Sequence, residues 1–100
     1  MKTTGEIIRG KRQSKGLLLR ELAAKLKVDS AVLSKIERGE RKAKKEQIIQ
    51  IAEILEMNKR ELIVAWLSDK IIHQISDEEF GNEALKLTVQ KVKHFKNKKL

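Results

Sequence analysis

The chain has 100 residues, of which 23 are Lys or Arg and 14 are Asp or Glu, so its formal net charge is +9. It contains no cysteine, which excludes disulfide bonds, thiolate metal sites and a cysteine nucleophile. The apolar runs are too short to span a bilayer and no signal-peptide pattern opens the chain, so we expect a cytoplasmic protein without membrane association. The length suits a single hydrophobic core, and the composition, rich in Leu, Ile, Lys and Glu without proline, favours helices.

The charge is distributed unevenly along the chain. Residues 1–45 hold 14 basic and 5 acidic residues, residues 46–90 hold 4 and 9, and the last ten residues hold five lysines and no acid. Such a basic N-terminal half predicts a surface that faces a polyanion. The acidic balance of residues 46–90 predicts that this part of the chain has a different role.

Apolar residues recur at helical spacing throughout, and short turns separate the helical segments. Thr3 with Glu6, Asn58 with Glu61, and Ser76 with Glu79 have the spacing of capping boxes and predict three helix starts. Asp29 is the expected N-cap of the third helix, and the acidic run 77–79 is expected to begin the last helix. The predicted helices are 3–15, 18–26, 29–38, 45–55, 58–75 and one that starts at 76.

The second and third predicted helices are joined by only three residues, 27–29. So short a connection makes the helices cross steeply, and a small residue, Ala23, lies where they touch. Leu33 and Ile36 fall on the inward face of the third helix, which leaves the other face open to solvent. A helix that projects in this way fits the major groove of DNA.

The stretch "LRELAAKLKVDSAVLSKIERGER", residues 19–41, carries a family resemblance through Ala23, its spaced hydrophobic residues and Ile-Glu-Arg-Gly at 36–39. On these residues the segment 5–62 resembles the helix-turn-helix domain of the phage repressor and Cro proteins, the Xre family. The resemblance implies an all-α, compact five-helix repressor-like domain over residues 1–67, with a C-terminal helical extension and basic tail over 68–100. It also implies binding to double-stranded DNA without a cofactor or small-molecule ligand.

In the family the third helix reads base edges and the following segment lies along the phosphate backbone. Lys35 is the strongest base-reading candidate, because a lysine can donate to guanine, and the alternative is an ordinary surface lysine. The basic residues that follow Gly39 have a similar alternative, which is a run of charges that simply faces solvent. The residues expected to face bases are Ser30, Ala31, Val32, Ser34 and Lys35. The residues expected at phosphates are Leu19, Arg38, Arg41, Lys42, Lys44 and Lys45.

Glu37 is an acid within a basic, DNA-facing segment, so its side chain should point inward and be paired. The family pairs this glutamate with an arginine of the first helix, which is Arg12 here. The resemblance therefore implies a structural ion pair.

The sequence departs from the family pattern at three places. Leu18 stands where the family usually has a capping Ser or Thr, and Leu19 stands where it has a Gln that contacts DNA. Leu19 therefore keeps the DNA-facing position but lacks the polar side chain. Lys27 replaces the turn glycine and must either adopt a left-handed conformation or remodel the turn, at a cost of about 1 kcal/mol. Ala43 and Lys44 replace Pro and Ser before the fourth helix, which adds phosphate affinity without the cap.

Residues 62–95 form two amphipathic helices beyond the minimal domain. They are expected to form the interface of a homodimer on an inverted repeat, with half-sites about 34 Å apart. The alternative is that they pack onto the core of their own chain, which fits Leu62 and Ile63 better. The expected interface residues are Trp66, Leu67, Ile71, Ile75, Leu85, Val89 and Val92.

Nothing in the sequence favours catalysis or metal binding. His73 and His94 are isolated, and Ser68 and Thr88 lack a general-base partner. The leading interpretation is a sequence-specific regulator, such as a phage-type repressor or a restriction-modification controller. Two alternatives stay open, which are an antitoxin-type protein-binding module and a non-specific nucleic-acid binder, including one for RNA.

Overall fold

The computed structural model of the chain describes residues 1–97, so the end of the predicted basic tail, 98–100, lies outside the described residues. The described part contains helices and turns but no strand, which confirms the predicted all-α class. No helix in it is long and apolar enough to cross a membrane. The helices are α1 Thr4–Ser14, α2 Leu19–Leu26, α3 Ser30–Glu37, α4 Lys45–Ile54, α5 Lys59–Ile75 and α6 Gly81–Asn97.

The chain divides into two compact units, Met1–Asp69 and Lys70–Leu100. The first unit contains α1 to α4 and the first part of α5, and it holds the hydrophobic core. The second unit contains the end of α5 and α6. The buried core residues are Ile8, Leu22, Ala23, Leu26, Leu33, Ile36, Ala43, Ile48, Ile51, Ala52, Leu55 and Leu62.

Two of the three predicted capping boxes have hydrogen bonds at the expected positions. Thr3 Oγ1 accepts from the Glu6 N–H at 3.2 Å, and the Thr3 N–H donates to Glu6 Oε1 at 3.3 Å. Asn58 Oδ1 accepts from the Glu61 N–H at 2.9 Å. Both satisfy N–H groups that have no acceptor within their own helix, so α1 and α5 start where predicted.

The third predicted start, at Ser76 with the acidic run after it, is wrong. Residues 76–80 form a turn, and α6 begins at Gly81. Gly81 is buried against the end of α5, where a Cβ atom on it would lie 2.6 Å from the Ile75 carbonyl oxygen. The chain can turn this tightly only with a glycine at that point, and the capping-box spacing does not reveal such a contact.

The helix-turn-helix forms around the tight connection between α2 and α3. Lys27 has φ +60°, so of the two expected outcomes it adopts the left-handed conformation. The turn is closed by N–H groups of Lys27 and Val28, which donate to the carbonyls of Ala24 at 3.1 Å and Ala23 at 3.0 Å. Ala23 is 2% exposed, so there is no room for a larger side chain where the helices meet.

Helix α1 approaches the end of α3 through Gly5. A Cβ atom on Gly5 would lie 2.3 Å from the Glu37 carbonyl oxygen and 2.6 Å from that of Ile36. These are backbone atoms that cannot rotate away, so only glycine permits this distance between α1 and α3.

We expect Gly5→Ala to lower the free energy of unfolding by about 1–3 kcal/mol, because α1 must shift away from α3. Gly10→Ala is the matched control in the same helix, since a Cβ atom there meets nothing within 4 Å. It should raise stability by roughly 0.5–1 kcal/mol through helix propensity. Urea unfolding followed by circular dichroism would measure both, and equal effects would contradict the packing argument.

Candidate nucleic-acid interface

Helix α3 separates a core-packed face from a solvent-facing one. Leu33 and Ile36 are 0% and 5% exposed, and Glu37 is buried beside them. The five predicted base-reading residues occupy the remaining positions. Ser30, Ala31 and Lys35 are exposed, and Val32 and Ser34 are half-buried at its margin. The outward face therefore offers two hydroxyls, the Ala31 methyl group and one ammonium group, and Val32 lies at its margin, packed partly against the core.

The segment after α3 reverses direction at Gly39, which has φ +76°. Its N–H donates to the Ile36 carbonyl at 3.1 Å, and the Glu40 N–H donates to the Lys35 carbonyl at 2.9 Å. These bonds end α3 and lead the chain into the basic loop, defined here as residues 38–45. Its exposed cationic residues are Arg38, Arg41, Lys42, Lys44 and Lys45.

The basic loop is anchored by one buried residue and one tryptophan. Ala43 is 7% exposed and belongs to the hydrophobic core. Its carbonyl accepts a hydrogen bond from Trp66 Nε1 at 2.8 Å, and the Trp66 ring packs against the same core. Trp66, expected at a dimer interface, is thus placed where it holds the loop between Lys42 and Lys44. The sequence contains no spacing rule that would have revealed this contact.

Glu40 is an acidic residue within the basic loop, and sequence reasoning gave it no role. Its Oε2 lies 3.0 Å from Arg38 Nε, and both side chains are about half exposed. Exposed ion pairs of this kind contribute little, about 0–1 kcal/mol. The pair therefore orients Arg38 without preventing it from turning towards a phosphate.

The two leucines at the start of α2 differ in environment. Leu18 is 47% exposed, whereas Leu19 is half-buried against the core. Since the Leu19 side chain packs inward, the polar group that this residue can offer to a phosphate is its backbone N–H, which lies in the first turn of the helix.

A single hydrogen bond at the start of α2 and another at the start of α4 replace part of the missing caps. The Leu18 N–H donates to Glu21 Oε1 at 2.8 Å, and the Lys44 N–H donates to Gln47 Oε1 at 2.8 Å. Each is one half of a capping box, so the departures from the usual cap residues are partly compensated. At α3, Asp29 occupies the predicted N-cap position without a capping hydrogen bond from its side chain.

Arg12 and Glu37 form the expected ion pair, and it is buried. Arg12 Nε lies 2.8 Å from Glu37 Oε2 and Nη2 lies 3.0 Å from Oε1, a two-pronged contact with side chains 11% and 5% exposed. Arg12 Nη1 also donates to the Leu17 carbonyl at 3.0 Å. The hydrogen bond to Glu37 raises the pKa of the guanidinium above its ordinary value despite the opposing effect of burial. Glu37 therefore points away from the solvent-facing side of α3.

The six other expected interface residues lie outside the core cluster. Leu67, Ile71, Leu85, Val89 and Val92 are exposed and Ile75 is half-buried. Val64, which the sequence analysis did not name, is also exposed and shares a face of α5 with Leu67 and Ile71.

The polar residues considered for other chemistry make ordinary contacts. Thr88 Oγ1 donates to the Ala84 carbonyl at 2.7 Å, and the ring of His94 lies beside Phe95. Within residues 1–97 no three His, Asp or Glu side chains are grouped as a metal site would require.

Residues 8–62 match the sequence model of the family described as helix-turn-helix, of the Xre and Cro type. This match covers more than half of the chain, and the chain therefore belongs to that family of DNA-binding transcriptional regulators. No curated protein and no solved structure gives a significant match.

We expect Arg12→Met to lower the free energy of unfolding by about 3–5 kcal/mol, because it leaves the Glu37 carboxylate buried without a partner. The double variant Arg12→Met/Glu37→Met should recover much of this loss, since an apolar pair has no charge to desolvate. Chemical denaturation of the wild type, both single variants and the double variant would measure the coupling. Additive losses would contradict it.

We expect Trp66→Phe to weaken DNA binding while the protein stays folded. The phenyl ring keeps most of the apolar contact, but the Ala43 carbonyl loses its indole donor and the basic loop loses its anchor. The measurement is affinity for a fixed duplex across a range of salt concentrations, with circular dichroism as the control for folding. An unchanged affinity and salt slope in a folded variant would show that the hydrogen bond does not position the loop.

Proposed function

We propose that this helix-turn-helix protein recognises a specific double-stranded DNA sequence as a homodimer on an inverted repeat, and that it regulates transcription from that site. The observation that carries the proposal is the continuity between the exposed face of α3 and the exposed basic loop directly after it. A base-reading surface and a phosphate-binding surface thus follow one another within the first compact unit. A regulator of this kind works where the chromosome is, in the cytoplasm.

The two surfaces contribute separately to binding, one to affinity and the other to sequence specificity. The cations of the basic loop neutralise phosphates, which supplies sequence-independent affinity that falls with salt. Lys35 supplies the strongest base contact, to the acceptor atoms of guanine, while Ala31 and Val32 suit a thymine methyl group. Because this face carries one cation and no Arg, Asn or Gln, we propose that DNA shape and half-site spacing add to the specificity.

Dimerisation follows from the small size of this reading surface and from the apolar residues outside the core. One eight-residue reading helix contacts few base pairs, so two copies on a two-fold site are needed for a selective complex. The exposed Leu67 and Ile71 and the exposed apolar residues of α6 are the surface available for this purpose. We propose further that the protein binds upstream of its own gene, as phage-type repressors and restriction-modification controllers do.

A second candidate function is an antitoxin-type module, in which the C-terminal third binds a different protein and DNA binding is secondary. The same exposed apolar residues of α6 favour it, because such a surface would also suit a protein partner. The two functions differ in whether the purified protein alone selects an inverted repeat.

The proposal is tested by selecting ligands for the purified protein from random duplex DNA at physiological salt. Recovery of an inverted repeat would support a dimeric, specific regulator, and the repeat spacing would give the distance between the two reading helices. Tight, salt-sensitive binding without any enriched motif would overturn specific recognition.

We expect Lys35→Ala and Lys44→Ala to weaken binding to the selected site in different ways. Loss of a base contact should cost about 1–3 kcal/mol at one position and relax the preference there. Loss of a phosphate contact should weaken all sequences alike and reduce the salt slope by about 1.

Lys86→Ala is the control, since it removes the same charge from α6 in the second unit. Binding titrations on the selected site, its single-base variants and an unrelated duplex would separate the three variants. Equal losses for Lys35→Ala on every duplex would refute base reading by that residue.

A further inference from the structure

Asp69 links α5 to the first turn of α1. Its Oδ2 accepts a hydrogen bond from the Thr4 N–H at 2.8 Å, across 65 residues of sequence. Thr4 is the first residue of α1 and is buried, and Asp69 is half-buried. Both residues belong to the first compact unit. The contact is therefore part of the structure that carries α3 and the basic loop.

The Asp69 carboxylate supplies an acceptor that the capping box of α1 does not. The box satisfies the N–H groups of Thr3 and Glu6, each through the side chain of the other residue. The Thr4 N–H lies between them and has no acceptor within its own helix. A carboxylate at this end of a helix also interacts favourably with the helix dipole. Asp69 therefore fixes the first turn of α1 to α5.

The turn of α1 that Asp69 holds is the one that contacts α3. Gly5, the next residue, lies against the carbonyls of Ile36 and Glu37, where a Cβ atom would come within 2.3 Å of the Glu37 oxygen. A contact this close between two backbones cannot absorb a displacement of α1 by rotation of side chains. A shift in the first turn of α1 is therefore passed on to the last turn of α3.

The same side of α5 also holds the basic loop. Trp66, three residues before Asp69, donates to the Ala43 carbonyl, and residues three apart share a side of a helix. Helix α5 thus bonds both to the segment that follows α3 and to the helix that packs against the end of α3. Trp66 acts on the loop proposed to bind phosphates, whereas Asp69 acts on the helix that orients the proposed base-reading face.

We propose that Asp69 is a positioning residue for sequence recognition, because it sets the orientation of the outward face of α3 by fixing the start of α1. This inference rests on the base-reading role proposed for α3. Hydrogen bonds to base edges weaken steeply when their distance or angle changes, whereas flexible lysines can follow a phosphate through a small displacement. Loss of the Asp69 contact should therefore lower the discrimination between DNA sequences while the affinity for unrelated DNA is kept.

The measurement is the ratio of the affinities for the selected site and for an unrelated duplex. We expect Asp69→Ala to lower this ratio at least about fivefold, which is the effect of losing one weak base contact, with an unchanged salt slope on the unrelated duplex. Asp69→Asn keeps an oxygen acceptor for the Thr4 N–H and should retain most of the ratio. Asp77→Ala is the control for charge, because it removes the same acid from the exposed turn 76–80 and should leave the ratio unchanged.

Thr4→Pro tests the same hydrogen bond from the donor side. Proline lacks the N–H and is well tolerated at the first position of a helix. The extended backbone of Thr3, with φ −74° and ψ 165°, suits a residue that precedes proline. The substitution should lower the affinity ratio as Asp69→Ala does, and the double variant should lower it no further. Losses that multiply in the double variant would contradict a single shared contact.

Amide NMR spectra of Asp69→Ala show whether the change reaches α3 in the absence of DNA, and circular dichroism checks that the variant is folded. We expect altered chemical shifts at Ile36 and Glu37 as well as in the first turn of α1. Changes confined to that turn, or an unchanged affinity ratio in the folded variant, would overturn the proposal and leave Asp69 as a helix cap only. A wild-type protein that selects no DNA motif would instead overturn the proposed base reading, and this inference with it.

Discussion

The contact between α1 and the end of α3 determines how the outward face of α3 is presented to solvent. Gly5, Ile8 and Arg12 lie on one face of α1 at helical spacing. Gly5 brings the α1 backbone against the carbonyls of Ile36 and Glu37. Arg12, two turns further along α1, donates two hydrogen bonds to the Glu37 carboxylate. The end of α3 is thus held through both its backbone and its side chain. Arg12 also binds the Leu17 carbonyl, so the same guanidinium fixes the connection into α2.

The ion pair is better understood as a determinant of orientation than as a large source of stability. Removing two charges from water costs several kcal/mol, and their attraction in the interior often only offsets that cost. The pair fixes the orientation of α3 relative to α1, because a two-pronged contact between guanidinium and carboxylate tolerates little rotation. A helix with the base-reading role proposed for α3 benefits from such a constraint more than from additional apolar contact.

The sequence was sufficient to predict the helices and the core, because their signals are local. Spacing at i, i+3, i+4 and i+7 defined the buried faces, and the left-handed Lys27 followed from a residue standing where the family has glycine. The start of α6 was not predictable in this way, since the turn at 76–80 depends on Gly81 packing against Ile75, a contact between the ends of two helices. The acidic run 77–79 resembled a helix start, but the backbone geometry at Gly81 determines that α6 begins there instead.

The candidate interface was predictable to a similar degree and for a similar reason. Exposure of Lys35 follows from which α3 positions are apolar, and exposure of the basic loop follows from its run of charged residues. The orientation of Glu37 follows from the unfavourable interaction of an acid with phosphate. The Trp66 contact was missed because a tryptophan at helical spacing reads equally well as core or interface. The hydrogen bond to the Ala43 carbonyl, 23 residues earlier in the chain, leaves no trace in that spacing.

The arrangement of α3 also bears on how such a protein can change over generations. Ser30, Ala31 and Lys35 are exposed and lie outside the hydrophobic core, whereas the residues that hold α3 in place face the other way. Exposed substitutions away from packing contacts usually alter stability by less than about 0.5 kcal/mol. Mutations on the outward face can therefore be sampled almost freely as far as folding is concerned. A duplicated copy of the gene could acquire a new operator preference while inheriting an intact scaffold.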